Sequence, residues 1–117
     1  MQIQNIEPTN IHAFRDESGF PRLTFDADVP AELGASFVHD VQTEGDAERI
    51  LGLLQLVIDG MDADYSFSGN SFTVTIHETM VTIVDDIVEE TPIIEMSHEQ
   101  YRIILSGWRE FLHDALR

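Results

Sequence analysis

The strongest constraint on this chain is a hydrophobic period that switches three times along its length. Leu23, Phe25, Ala27 and Val29 alternate with Arg22, Thr24, Asp26 and Asp28. A period of two is that of a strand with one face on a core and the other in water. From Asp46 the spacing changes. Ala47, Ile50, Leu51, Leu54, Val57 and Ile58 recur every three or four residues, the stripe of an amphipathic helix. Thr43 or Asp46 can cap its start and Gly60 can end it. Residues 64–89 return to strand character, and the chain closes on a second helical stripe of Tyr101, Ile104, Leu105, Trp108, Phe111, Leu112 and Ala115. Ser97 with Gln100 three residues later fits a capping box at its start.

The remaining elements follow from local signals. Ile3 and Ile6 open a short strand that stops at Pro8, and residues 11–16 form a second. Glu17-Ser18-Gly19 reads as a turn, and Pro30 ends the strand carrying Val29. Residues 35–42 are expected to be a further strand, with His39 packed on its apolar side between Phe37 and Val41. A two-residue turn at Gly69-Asn70 would pair Phe67 with Phe72 and Tyr65 with Val74. Residues 80–88 are rich in β-branched side chains, and residues 92–96 are a short extended piece. Leu53 and Leu56 widen the central stripe, either because that helix is well buried or because it self-associates. With no repeat and no linker, the expectation is one domain over 1–117. Its fold class is α+β, a mostly antiparallel sheet of about five to six strands with one central and one C-terminal helix packed on it.

Charge narrows the function. The 117 residues hold 22 carboxylates against six arginines and no lysine, a formal charge of −16. Such a surface repels nucleic acid and anionic lipid, whose affinity for proteins comes from Lys and Arg. No apolar run approaches the ~20 residues needed to span a bilayer. The first residues lack the basic and apolar regions of a signal peptide, so the cytoplasm is the expected compartment. The absence of cysteine excludes thiolate metal sites and disulfides.

Motifs for chemistry are weak. His77-Glu78 begins an H-E-x-x-H pattern, but Val81 stands where the second histidine belongs. His98 is expected to be a solvated residue of the last helix's first turn. Asp59, Asp62 and Asp64 cluster, yet an EF-hand read from Asp62 would place Phe67 at the required glycine and Thr73 at the bidentate glutamate. An enzyme built on Asp85, Asp86 or His39 has no local signature behind it. The expectation is therefore no catalytic site, no metal and no cofactor.

The distribution of charge says more. Between Arg49 and Arg102, 52 residues contain no arginine or lysine and ten carboxylates. The dense groups are Asp59, Asp62 and Asp64, then Asp85, Asp86, Glu89 and Glu90. One-signed charge on a rigid scaffold costs self-repulsion and suits capture of a basic protein, whose encounter it accelerates. These seven carboxylates are the expected partner-binding residues.

The segment from Ile93 to Leu112 adds a resemblance. A short strand runs into a Ser97-capped helix carrying Tyr101 and then Trp108-x-x-Phe111-Leu112. This is similar to the closing helix of small acidic immunity proteins from bacterial contact-dependent growth inhibition and related polymorphic toxin systems. The resemblance implies a non-catalytic protein that binds and neutralises a cognate toxin domain, often a nuclease, in the producing cell; a monomer is expected rather than a dimer. The alternative class is a small acidic type III-like secretion chaperone, which would be dimeric and would use Leu53 and Leu56.

Overall fold

The computed structural model describes residues 3–5, 11–25, 31–60, 64–69, 72–87 and 93–115. The elements in order are β1 (Ile3–Asn5), β2 (Ile11–Arg15), β3 (Pro21–Phe25), α1 (Ala31–Asp40), α2 (Glu44–Ile58), β4 (Tyr65–Ser68), β5 (Phe72–Ile76), β6 (Val81–Asp85), β7 (Ile93–Met96) and α3 (His98–Ala115). The α+β class holds, with a different division of elements. The main sheet has the order β1-β7-β6-β5-β4, and β2 pairs only with β3 in a separate antiparallel hairpin. Within the main sheet β4 to β7 are antiparallel neighbours, and β1 joins β7 in parallel.

Alternation on these strands separates a dry face from an open one. Phe72, Val74, Ile76, Val81, Ile83, Ile94 and Met96 are buried and join one core with the helices. That core takes Leu33 and Phe37 from α1, Ala47, Ile50, Leu54 and Val57 from α2, and Tyr101, Ile104, Leu105, Trp108 and Leu112 from α3. The intervening strand residues are only half-buried. α2 and α3 pack on each other, and the β2–β3 hairpin lies against α1 and α3.

The ends of the helices form as their chemistry dictates. Thr43 caps α2 in a full capping box with Asp46, and Gly60 follows its end at φ 75°. At α3 the Gln100 N–H donates to Ser97 Oγ, 3.1 Å away. Gly19 makes the predicted turn between β2 and β3 at φ 84°.

Four expectations need correction. Residues 35–42 are not a strand: most of them belong to α1. Leu33, Phe37 and Val41 recur every four residues and all are buried, so a helix places them together where a strand would split Ser36 and Phe37 to opposite faces. Their partners lie on α3, where the Phe37 ring lies 5.6 Å from that of Tyr101. His39 is consequently exposed on α1, edge-on to Phe72 at 6.5 Å, and is not a core histidine. Among the described residues there are thus three helices rather than two, and the strands do not all share one sheet.

The fourth correction is the β4–β5 register. Phe67 pairs with Val74 and Tyr65 with Ile76, two residues beyond the expected partners. The Gly69 N–H donates to the Phe72 carbonyl at 3.0 Å, so Gly69 sits within the ladder. It lies against the Asp40 side chain at the end of α1, where any Cβ would collide. A slip of two preserves the facing of every side chain, so the division into dry and open faces is unaffected. The expected strand residues Ile6, Ala27, Val29 and Val88 lie outside the described residues.

Candidate partner-binding surface

The open face of the sheet is a lattice of hydroxyls. Ser66 and Thr75 share a hydrogen bond of 3.0 Å across β4 and β5, and Ser68 and Thr73 share one of 2.8 Å. Thr82 on β6 stands opposite Thr75 on one side and Glu95 of β7 on the other. The sequence from Tyr65 to Met96 carries no arginine or lysine at all.

Carboxylates stand at the two ends of this lattice. At one end Asp64 accepts the Glu78 N–H at 3.1 Å and faces His77 Nδ1 at 3.4 Å. The other ring nitrogen of His77 is 3.1 Å from Thr82 Oγ1, and the His77 carbonyl accepts from His98 Nε2 at 2.6 Å. His98 is therefore tied to the β5–β6 turn rather than merely solvated. At the opposite end Thr73 Oγ1 donates to Asp86 at 2.7 Å, and Asp85 accepts the Ile87 N–H at 2.9 Å. Ile87 stands 69% exposed beside these two carboxylates.

The expected site residues are thus divided. Asp59 caps α2, its N–H bonded to the Gln55 carbonyl and its carboxylate accepting from Gln55 Nε2 at 2.8 Å. It leads by way of residues 60–63 to Asp64, at the Ile76 end of β5. Asp85 and Asp86 lie at the Phe72 end. Four residue steps along β5 separate the ends by about 13 Å, a distance at which exposed charges are mostly screened from one another. Asp62, Glu89 and Glu90 lie outside the described residues. Among the described residues no group of three or more His, Cys, Asp and Glu is arranged to hold a metal ion.

A second surface was not foreseen. At the tip of the β2–β3 hairpin, Asp16 accepts from Arg22 Nε at 2.9 Å and from the N–H groups of Phe20 and Ser18. The Arg22 bond, then that from Phe20, holds this carboxyl below its ordinary range. The knot presents Phe14 and Phe20 to solvent, the latter 62% exposed. An open cavity of about 530 Å³ lies between Phe14, Phe25 and Val38, and another of about 500 Å³ between Phe20, Val38, Trp108 and Leu112. The sequence signal was available in Phe20-Pro21, an aromatic placed next to a turn. On α2, Leu53 packs against the core fringe, whereas Leu56 is 41% exposed.

Compared with known protein families, characterised proteins and solved structures, the chain finds no match. Among the described residues, no helix is long and apolar enough to cross a membrane.

Proposed function

We propose that this chain is an immunity protein. It binds a cognate, basic toxin domain of nuclease type in the cytoplasm of the producing cell and neutralises it stoichiometrically, without chemistry of its own. The observation that carries this reading is the sheet from β4 to β7: carboxylates at both ends of a face bearing the hydroxyls of Ser66, Ser68, Thr73, Thr75 and Thr82, in a segment from Tyr65 to Met96 without arginine or lysine. Hydroxyls and carboxylates are what a basic surface can hydrogen-bond, and complementary charge raises the rate of encounter. The resemblance of the Ile93–Leu112 segment to immunity proteins supports the same role.

The test is to isolate the protein that this chain retains from its source cell and express it alone in a test host. Growth arrest that equimolar expression of this chain relieves supports the proposal. A harmless or acidic partner refutes it. The exposed Leu56 and Ile58 on α2 favour the chaperone as the second reading. That reading requires a dimer and a partner that fails to be secreted when this chain is removed.

A further inference from the structure

The main sheet ends on a strand that nothing described covers. Among the described residues β4 is the outermost strand, paired on one side with β5 and on the other with none. The Gly69–Phe72 bond sets the phase of the ladder. Antiparallel alternation then turns the backbone groups of Phe67 and Tyr65 toward β5 and sends the N–H and C=O of Ser66 and Ser68 outward. Proteins usually blunt such an edge with lysine, proline or a bulge. The sequence Tyr65-Ser66-Phe67-Ser68 contains neither lysine nor proline, and its register with β5 runs unbroken.

We propose that the β4 edge is the docking site of an extended basic segment of the partner, which adds to the sheet as a further strand. This inference rests on the basic-partner reading above. The charge selects the occupant. Asp64 flanks the edge at one end, Asp86 lies behind Ser68 and Thr73 at the other, and no arginine or lysine between residues 50 and 101 opposes them. A second copy of a chain carrying −16 is repelled from the same edge, whereas an arginine-rich strand is attracted. Alternation on the added strand defines its pattern. One set of side chains lies beside Tyr65, which is 38% exposed, and Phe67, and is apolar. The other lies beside the Ser66 and Ser68 hydroxyls and is basic. Main-chain bonds supply affinity and the alternate side chains supply specificity.

The test follows amide hydrogen exchange of the full chain with a synthetic peptide alternating valine and arginine. The expected result is slowing at Ser66 and Ser68 by about tenfold or more, as newly bonded amides show. A valine–glutamate peptide gives no slowing, and neither does an equally basic peptide interrupted by proline. A Ser66→Pro/Ser68→Pro variant that keeps the wild-type melting temperature lacks the two outward N–H groups and loses binding of the valine–arginine peptide, read by fluorescence anisotropy of the labelled peptide. If that variant does not fold, the wild-type exchange pattern decides. Binding of the basic peptide without protection of Ser66 and Ser68, or equal binding of the proline-interrupted peptide, overturns the edge proposal and leaves the basic-partner reading standing. No binding of the valine–arginine peptide also overturns it. Protection that grows with protein concentration alone assigns the edge to a second copy and overturns it as well. Failure of the immunity reading shows elsewhere, as a captured partner that is harmless or acidic.

Discussion

Trp108 donates its indole N–H to the backbone carbonyl of Val41, 2.8 Å away, and so ties α3 to the residue that follows α1. Both residues are buried, and the indole stacks on Phe111 with ring centroids 5.4 Å apart. The bond satisfies a donor that would otherwise be desolvated, and joins positions 67 residues apart in sequence.

Trp108 is accordingly a packing residue. Trp108→Ala should cost about 3–5 kcal/mol in urea denaturation, the range for deleting a large buried aromatic. Trp108→Phe keeps much of the volume and leaves the Val41 carbonyl without this donor, a loss of about 1–3 kcal/mol. A Trp108→Ala protein with wild-type stability and no partner binding would make the residue an interface anchor instead.

Two glycines within helices should respond oppositely to alanine. In mid-helix the exchange normally gains up to about 1 kcal/mol. Gly52 on α2 has nothing within 4 Å of an added Cβ, so Gly52→Ala should raise the melting temperature. At Gly34 an added Cβ falls well inside contact distance of the Leu23 carbonyl oxygen, where α1 crosses β3. Gly34→Ala should lose about 1–3 kcal/mol, since backbone rather than a flexible side chain must move. Equal effects at both sites would contradict the close α1–β3 approach.

One ion pair between α2 and α3 should make a pH-dependent contribution to stability. His113 Nδ1 is 2.9 Å from a Glu44 carboxylate oxygen. That hydrogen bond, then the Glu44 charge, raises the His113 pKa above its ordinary 6.5. The raised folded value means that the pair's stabilisation is fully present below 6.5 and is lost as pH climbs through the folded pKa. Both side chains are substantially exposed, so the effect is modest and weakens with salt. The melting-temperature difference between wild type and His113→Gln should be larger at about pH 5.5 than at about pH 8.5. A difference that is constant or grows with pH would reverse the assignment.

The two ends of the sheet should act on partner association independently. Neutralising Asp85, Asp86, Glu89 and Glu90 to Asn or Gln, with folding confirmed, should slow association and flatten its salt dependence. Asp64→Asn with Glu78→Gln should do the same, and the combined effects should add, because groups ~10 Å apart without shared partners rarely couple. Stopped-flow measurement at two salt concentrations reads both. Unchanged kinetics for either set would assign that end to a solvated face only.

Chelation should leave the fold intact. Asp64 already serves the Glu78 N–H and faces His77, which leaves its carboxylate poorly placed for a cation shared with Asp59. The melting temperature should be the same with and without EDTA, and a fall of more than a few degrees would revive a metal role for Asp59, Asp62 and Asp64.

The elements read correctly from sequence are those whose signal is local. The stripe from Ala47 to Ile58 and that from Tyr101 to Leu112 are long enough for the helical period to show, and their starts are marked by Thr43 and Ser97, whose side chains bond within the next turn. The alternation of β5 was equally plain, and even the misplaced turn at Gly69 cost nothing in facing because the slip was an even number of residues. The candidate carboxylates were visible as charge, but charge in sequence carries no position. That Asp64 falls at one end of β5 and Asp85 and Asp86 at the other follows from strand register.

Residues 35–42 show where local information runs out. A short apolar run has compatible spacings for strand and helix, and the choice between them is made by what it packs on. Here Phe37 and Val41 meet Tyr101 and Trp108, partners more than sixty residues away. The same holds for the separation of the β2–β3 hairpin from the main sheet, for the knot of Asp16 with Arg22 beneath Phe20, and for the open edge at β4. Period, caps and charge are properties of neighbours along the chain and can be read there. Which face is covered, which edge is left bare and which carboxylates share an end depend on contacts that exist only after the chain has closed on itself.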